Sequence, residues 1–145
     1  MTIEQRRRRS ARVGVYCRIP IDPLKQKSSA KLIEEENRIQ IETKHWKMTG
    51  FYLDEGDIGE NRERLLEECR NGDIDLVVTR SITCFSKDYL ELVKICGELS
   101  QLKHPVGVLF SFENIFSLDD SFGVKLSFIV AIAVKEAWEK LTRTF

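Results

Sequence analysis

Short apolar runs alternate with longer amphipathic segments along this chain, and the two patterns predict different elements. The predicted strands cover residues 12–17, 51–53, 74–79 and 106–110. The last two runs are nearly continuously apolar, which is typical of strands in a parallel sheet that is buried on both faces. The predicted helices cover about 31–47, 62–70, 89–102 and a final segment that opens at Asp119 and Asp120.

Turn-forming residues separate these segments. Pro20 and Pro23 end the first strand. Residues 19–29 then form a predicted loop, in which Ser28 and Ser29 are placed to cap the helix that follows. Alternating strands and helices predict an α/β domain of three layers, in which a mostly parallel sheet has helices on both faces.

In a sheet of this kind, ligands bind outside the carboxyl ends of the strands. Three predicted loops leave those ends, at 18–27, 54–61 and 80–87. We therefore look for functional residues in these three loops.

Length and charge narrow the class of protein. The chain has 145 residues, the size of one domain, and we expect 1–11 to be a basic arm and 12–145 to be that domain, with its last helix from about residue 120. Lys and Arg number 23, as do Asp and Glu, so no net charge draws the whole protein onto nucleic acid.

The longest apolar run, Leu126–Val134, is far shorter than the ~20 residues of a membrane span, and no signal peptide is evident. We expect a cytoplasmic protein without a membrane partner.

Metal chemistry is not expected. The cysteines and histidines are isolated from one another in the sequence: Cys17, Cys69, Cys84, Cys96, His45 and His104. Zinc sites need clustered ligands at short spacings. No glycine-rich phosphate loop follows any predicted strand, which argues against a nucleotide-binding module. The sequence thus predicts no metal, no cofactor, and buried, unreactive cysteines.

Five segments, in order, resemble motifs of the resolvase/invertase family of serine site-specific recombinases. They are Tyr16–Pro20, Tyr52–Gly59, Leu65–Val78, Arg80–Asp88, and Glu113–Ile115 with Gly123 and Ala131–Glu136. The first looks like the family's Tyr-x-Arg-x-Ser motif, and the second like its Tyr-x-Asp-Glu-Gly-x-Ser-Gly segment. The fourth is similar to Lys-Ser-Ile-Ser-Arg-Phe-x-Arg-Asn of the large serine recombinases. The resemblance covers roughly 12–143 and implies a resolvase-like fold that ends in a long dimerisation helix.

The resemblance also implies a chemistry. The family cuts and rejoins DNA without metal, because a serine hydroxyl attacks a phosphodiester while arginines hold the phosphate. The family's site residues that remain in this chain are Tyr16, Arg18, Asp54 and Glu136. Two of these also have a purely structural interpretation, Arg18 as a salt-bridge partner of Asp54 and Glu136 as a solvated helix charge.

Other positions of the family's site hold different residues here. Pro20 stands at the nucleophile position and has no hydroxyl. The serine of the acidic loop falls on Ile58, and the arginine after it is missing with a shortened loop, since Arg62 lies close but on the helix itself. Further arginines of the family are replaced by Cys84, Lys87 and Ala137.

Loss of a nucleophile can remove nearly all activity of a catalytic unit, and each lost donor costs about 10²–10³ in rate. We therefore predict an inactive serine-recombinase-like domain that acts as a dimerising partner or is a remnant. The alternative is an active recombinase with a substitute nucleophile, for which Cys84 is best placed because Arg80 and Lys87 are near it in sequence. Cys17 is expected to be a buried strand residue and Ser86 a turn residue.

One dense basic cluster suggests contact with DNA. It consists of Arg6, Arg7, Arg8 and Arg9. These four arginines would neutralise DNA phosphates without reading sequence, or serve as a solvated tail. No helix-turn-helix or zinc module occurs in the sequence, so we expect weak, non-specific DNA binding at most.

The last predicted helix suggests a protein partner. It is apolar almost all round, which favours an interface with a second copy or with a full-length recombinase. The residues expected at this interface are Phe128, Ile129, Ile132 and Trp138.

Overall fold

The computed structural model describes residues 10–21, 26–57 and 59–143. Its strands are β1 (Arg12–Ile19), β2 (Lys47–Glu55), β3 (Leu76–Thr79), β4 (Gly107–Phe110) and β5 (Ile115–Phe116). Its helices are α1 (Gln26–Thr43), α2 (Glu60–Arg70), α3 (Ile82–Phe85), α4 (Tyr89–Ser100) and α5 (Phe122–Arg143).

Several residues singled out in the sequence lie outside these described ranges. They are the four arginines of the predicted DNA-binding cluster, Arg6, Arg7, Arg8 and Arg9, together with Pro23 and Ile58. The assignment of Arg6, Arg7, Arg8 and Arg9 to DNA contact therefore stays a prediction from the sequence.

The five strands of the described chain form one sheet in the order β2-β1-β3-β4-β5. The first four are parallel, and β5 runs antiparallel, against β4. Arg18 at the end of β1 stands in register with Asp54 of β2, and Tyr16 with Thr79 of β3. The predicted α/β fold with a mostly parallel sheet and a long last helix is confirmed.

Helices cover the two faces of the sheet unequally. The larger core lies on the face of Tyr16, Val77 and Val108, where α2, α4 and the start of α5 pack. The smaller core lies on the opposite face, where Ile41 of α1 packs with Val15 and its neighbours. Successive side chains of β1 point to opposite faces of the sheet. Since a core covers each face, consecutive residues of β1 are buried.

Gly14 brings α2 close to β1. A Cβ at this position would lie 2.7 Å from Leu65 Cδ1 and 2.8 Å from Ile74 Cδ1, closer than carbon atoms approach. The absence of a side chain thus lets Leu65 of α2 pack directly on β1. This contact fixes α2 against the face of β1.

The limits of several elements differ from the sequence predictions. Helix α1 begins at Gln26, so Ser28 and Ser29 lie inside the helix and not at its N-cap position. The same helix ends at Thr43, not near residue 47, because His45 adopts a positive φ of 63° and turns the chain into β2. Helix α5 begins at Phe122, not at the two aspartates before it. The one-turn α3 and the two-residue β5 were not predicted.

Most of α5 extends away from the core. Leu126 is its buried residue, while Ile129 and Val130 pack partly against the larger core. Beyond them the apolar side chains are exposed, with Ile132 at 56% and Trp138 at 66% of their maximal accessible surface. None of the helices in the described part of the chain is long and apolar enough to cross a membrane.

Candidate functional site

A cleft of about 530 Å³ lies at the carboxyl end of the sheet. Its walls come from the ends of β1 and β3, the loop after β2, and the α3 segment. The residues that line it are Arg18, Ile19, Pro20, Gly56, Asp57, Arg80, Ser81, Thr83, Cys84 and Lys87. Four of the residues singled out in the sequence, Arg18, Pro20, Cys84 and Lys87, are thus brought together.

Arg18 links three segments around the cleft. Its Nε donates to the carbonyl of Cys84 at 3.2 Å, and its Nη1 donates to the carbonyl of Gly56. Its Nη2 donates to the hydroxyl of Tyr16 at 2.8 Å. A guanidinium has five N–H groups in a fixed fork, so one side chain can hold β1, the loop after β2 and α3 at the same time.

Behind Arg18, Tyr16 and Asp54 form a buried polar pair. The Tyr16 hydroxyl donates to Asp54 Oδ2 at 2.7 Å, and both residues are at most 2% exposed. Burial and this bond to a carboxylate raise the pKa of Tyr16, so the phenol stays protonated as a donor. The Tyr16 hydroxyl therefore lies between Arg18 and Asp54, where the sequence had suggested a direct salt bridge.

Asp54 also holds the start of α2. Its Oδ1 accepts from the backbone N–H of Asn61 at 2.9 Å, and its Oδ2 accepts from that of Arg62 at 3.0 Å. A carboxylate at this place satisfies N–H groups that have no partner within the helix and complements the positive end of its dipole. Asp54, which the motif resemblance assigned to the site, therefore has a clear structural role.

Pro20 follows the last residue of β1 and is exposed on the cleft wall. Its ring carries no atom that can donate a proton or attack phosphorus. The structure thus places the position predicted for the nucleophile at the cleft, occupied by a side chain without nucleophilic chemistry.

Lys87 forms an ion pair with Asp57, and both side chains are largely exposed. The hydrogen bond and the charge of Lys87 lower the pKa of Asp57, so this carboxylate stays ionised below the usual range of an aspartate. A positive charge predicted to replace a family arginine is therefore matched by a negative one. Asp57 was missed because its partner lies 30 residues away in sequence, and no local pattern marks it.

The α3 segment is held in place by two capping contacts. Ser81 Oγ accepts from the N–H of Cys84 at 3.1 Å, and the Glu113 carboxylate accepts from the N–H of Ile82 at 3.1 Å. These contacts present Thr83 and Cys84 to the cleft. Ser81 and Thr83 were not predicted as site residues, although a serine two residues after an apolar strand is a recognisable N-cap signal.

Arg62 turns inward and does not line the cleft. Its Nη1 donates to the carbonyl of Phe85 at 2.9 Å and to Glu91 Oε1 at 2.6 Å. Its guanidinium carbon lies 5.9 Å from the centre of the Phe85 ring. The arginine that lay close to the missing family position thus fastens α2 to the junction of α3 and α4.

Other predicted site residues are not brought to the cleft. Glu136 lies on the exposed part of α5 and is not among the lining residues. Cys17 is half-buried in β1, where burial raises its pKa to about 12. Ser86 lies in the turn after α3, where its hydroxyl donates to the Asp88 carbonyl at 2.9 Å. Within the described residues, no cluster of three or more metal-ligating side chains occurs.

Two solved structures are similar in fold to this chain. A resolvase-family site-specific recombinase from Streptococcus pneumoniae aligns over 92% of this chain and 93% of its own, with a TM-score of 0.57 and 18% identity. The N-terminal catalytic domain of TP901-1 integrase aligns over 89% of this chain and 98% of its own, with a TM-score of 0.54 and 15% identity. These likenesses confirm the predicted resolvase-like fold. No protein-family model and no curated protein matches the chain.

Proposed function

We propose that this chain is a serine-recombinase-type domain that binds DNA phosphate without cutting it and associates through α5 with a second copy or with a full-length recombinase. The resolvase-like fold supports the family, and the motif resemblance agrees with it. The residues at the cleft support the loss of strand cleavage.

The observation that carries this proposal is the residue at the end of β1. Pro20 stands where the motif Tyr-x-Arg-x-Ser would supply the attacking hydroxyl, and it is exposed on the cleft wall two residues after Arg18. Serine recombination needs an oxygen that becomes bonded to phosphorus. Proline has none in its side chain, so the first covalent step has no starting group at this position.

The bonding of Arg18 is a second argument against cleavage. Transition-state stabilisation requires N–H groups aimed at the phosphate oxygens. Three bonds from Arg18 instead go to neutral acceptors of the protein, namely the carbonyls of Gly56 and Cys84 and the hydroxyl of Tyr16. Arg18 therefore serves to hold the cleft walls together.

The cleft retains the means to attract an anion weakly. Arg80 is exposed on its wall, and its guanidinium makes no hydrogen bond or ion pair with another described residue, although its backbone carbonyl accepts from the N–H of Phe112. Lys87 is available only in competition with Asp57. Few phosphate contacts give weak DNA binding. The logarithm of the association constant then falls linearly with the logarithm of the salt concentration, with a slope of about 0.9 for each phosphate contact.

Fluorescence anisotropy with a labelled DNA duplex tests the binding. We expect weak, salt-dependent binding that Arg80→Ala weakens and lowers in salt slope by about one. Arg38→Ala is the matched control, because Arg38 is an arginine of α1 that pairs with Glu34 and Glu35 away from the cleft. Equal losses in the two variants, or no binding at low salt, would contradict phosphate binding at the cleft.

A second candidate function is an active enzyme with a substitute nucleophile. It is favoured by the hydroxyls of Ser81 and Thr83, which lie 3.3 Å apart and line the cleft with Cys84. One of these oxygens would bond to phosphorus as the bond to the DNA 3′ oxygen breaks, and its proton would pass to that leaving oxygen. A covalent protein–DNA species that disappears in Ser81→Ala or Thr83→Val would establish this function in place of the first.

A further inference from the structure

A second cavity of about 410 Å³ lies between α1 and the sheet. It opens at the carboxyl ends of β1 and β3, where α1 leaves towards one face of the sheet while α3 and α4 leave towards the other. In open α/β sheets, ligands bind at such a switch point. The cavity also adjoins the cleft, because Arg18, Ile19, Arg80 and Cys84 line both.

This cavity exists because, in the described part of the chain, a single helix covers one face of a wide sheet. A helix is about 10 Å across, whereas five strands at about 4.8 Å spacing span about 19 Å. The side chains of Val78 and Leu109, which line the cavity, are therefore only half-buried. They form an apolar wall that no helix of the described chain covers completely.

The opposite wall is amphipathic. Two rows of residues on α1 line the cavity, each with a spacing of four that places its members on one side of the helix. The inner row is buried or half-buried and consists of Ile33, Asn37 and Ile41. The outer row is exposed and consists of Glu36 and Gln40, and Lys44 in the turn directly after α1 continues it.

Polar groups of this cavity are positioned for a ligand. Asn37 Nδ2 donates to the carbonyl of Ile33 at 2.8 Å, which fixes the amide and leaves its Oδ1 as an acceptor. The side-chain amide of Gln40 is exposed and makes no hydrogen bond with another described residue. The Arg80 guanidinium lies near enough to Cys17 for its charge to oppose the rise in the pKa of that thiol. An anion-binding group thus stands at the junction of the cavity and the cleft.

We propose that this cavity binds one nucleoside monophosphate unit. The base lies between the aliphatic side chains of α1 and those of Val78 and Leu109, its edge faces Asn37 and Gln40, and its phosphate lies at Arg80. Apolar walls on two sides accept a flat ring, amide groups recognise a base edge, and arginine suits phosphate. The volume lies within the usual range of small-ligand sites.

The nucleotide has two sources, a free mononucleotide or an unpaired nucleotide of DNA. The inference rests on the proposed function in so far as Arg80 holds phosphate. It goes beyond that function because it proposes that a nucleotide base binds between α1 and the sheet.

A nitrogen-15 NMR titration of the full chain tests this assignment. The probes are the four deoxynucleoside monophosphates, inorganic phosphate, a single-stranded pentanucleotide and a blunt duplex. We expect at least one monophosphate or the pentanucleotide to shift the signals of Gln40 and Leu109 and to bind at least tenfold more tightly than phosphate. Gln40→Ala should weaken that binding about fivefold, Gln40→Trp should abolish it, and the matched control Gln101→Ala should leave it unchanged.

The outcomes separate the two sources and the two proposals. Equal binding of a monophosphate and the pentanucleotide indicates a free nucleotide, and tighter binding of the pentanucleotide indicates a nucleotide within DNA. Phosphate binding as tightly as every nucleotide, or full binding by Gln40→Trp, would overturn the inference. Duplex binding that depends on Arg80, without any nucleotide signal at Gln40, would overturn the inference alone. Nucleotide binding without duplex binding would instead overturn the proposed function.

Discussion

Asp57 shows how a single residue changes the character of the cleft. Its ion pair with Lys87 neutralises one of the positive charges that the motif resemblance placed there. Because Lys87 lowers the pKa of Asp57, the carboxylate stays charged through neutral and mildly acidic pH. The neutralisation therefore holds under the conditions in which DNA binding would be measured.

Asp57→Asn should free the ammonium of Lys87 and strengthen duplex binding about three- to tenfold at low salt, with a steeper salt dependence. Asp73→Asn is the matched control, because Asp73 is an exposed aspartate that does not line the cleft. Fluorescence anisotropy measures both variants. An unchanged affinity in Asp57→Asn would show that Lys87 does not contact DNA.

The cysteines provide a second prediction at the level of single residues. Burial raises the pKa of Cys17, Cys69 and Cys96 to about 12, so at pH 8 only about one such thiol in 10⁴ is ionised. Cys84 alone among the four lines the open cleft. A thiol reagent at pH 8 should modify Cys84 rapidly, Cys17 slowly because its pKa is raised, and the buried Cys69 and Cys96 only as the protein unfolds.

Mass spectrometry of the labelled protein identifies the modified residue. Cys84→Ala should leave the native protein almost unlabelled, while urea should expose the remaining three thiols. Rapid labelling of Cys69 or Cys96 in the native protein would contradict the burial of these two thiols in the larger core.

At the scale of elements, Arg62 connects three helices. It starts in the first turn of α2, donates to the last residue of α3, and pairs with Glu91 of α4. The hydrogen bond from Arg62, followed by that from Ser86, lowers the pKa of Glu91. A carboxyl group with a lowered pKa stabilises the fold at neutral pH, and this contribution disappears as the pH falls through the pKa of the folded state.

Arg62→Ala should lower the free energy of unfolding by about 1–3 kcal/mol at pH 7, because it removes a largely buried guanidinium with its bonds and its ring contact. The loss should shrink as the pH falls, since protonation of Glu91 removes the negative charge with which Arg62 pairs. Urea unfolding at pH 7 and at pH 3 measures this. Arg38→Ala, at an exposed pair, should cost less than about 1 kcal/mol, and an equal cost in the two variants would contradict the role of Arg62.

The elements also show what a sequence can predict. The strand runs at 74–79 and 106–110 were identifiable because a strand buried on both faces needs apolar residues at consecutive positions. Helix α3 has four residues and β5 has two, too few to show any periodicity. Helix α1 ends where it does because His45 adopts a positive φ, and no pattern of residues around His45 predicts that conformation.

The same distinction applies to the cleft. Pro20 and Arg18 were placed by a local motif at the end of a strand, and the parallel topology brought them together with Cys84 and Lys87. The direction of the Arg18 guanidinium was not predictable, since its acceptors lie 38 and 66 residues away in sequence. Long-range bonding of this kind decides whether an arginine faces a ligand or the protein.

At the scale of the whole molecule, α5 presents exposed apolar side chains beyond the core. Phe128, Ile132 and Trp138 are each more than half exposed. We expect these residues to form the proposed association surface, because contiguous apolar surface is unfavourable in water. Ile129 instead packs partly against the chain's own core and contributes less to such a surface than the sequence suggested.

Ile132→Glu should shift the protein towards monomer, since it places a charge in an apolar contact. Analytical ultracentrifugation over a range of concentrations measures the change. Glu139→Gln, an exposed substitution on the same helix, is the control and should leave the association unchanged. A monomer at all concentrations for the unmodified chain would exclude self-association and leave only a partner of different sequence.

The chain has the fold of a serine recombinase, but we propose that its cleft lacks the side chains needed for strand cleavage. The most direct measurement incubates the protein with end-labelled DNA duplexes of randomised sequence and separates the products on a denaturing gel. We expect no covalent protein–DNA species for the natural chain, and none for Pro20→Ser, because Arg18 stays bonded within the protein and three further arginine positions of the family motif hold Cys84, Lys87 and Ala137. A covalent species formed by the natural chain would contradict the account.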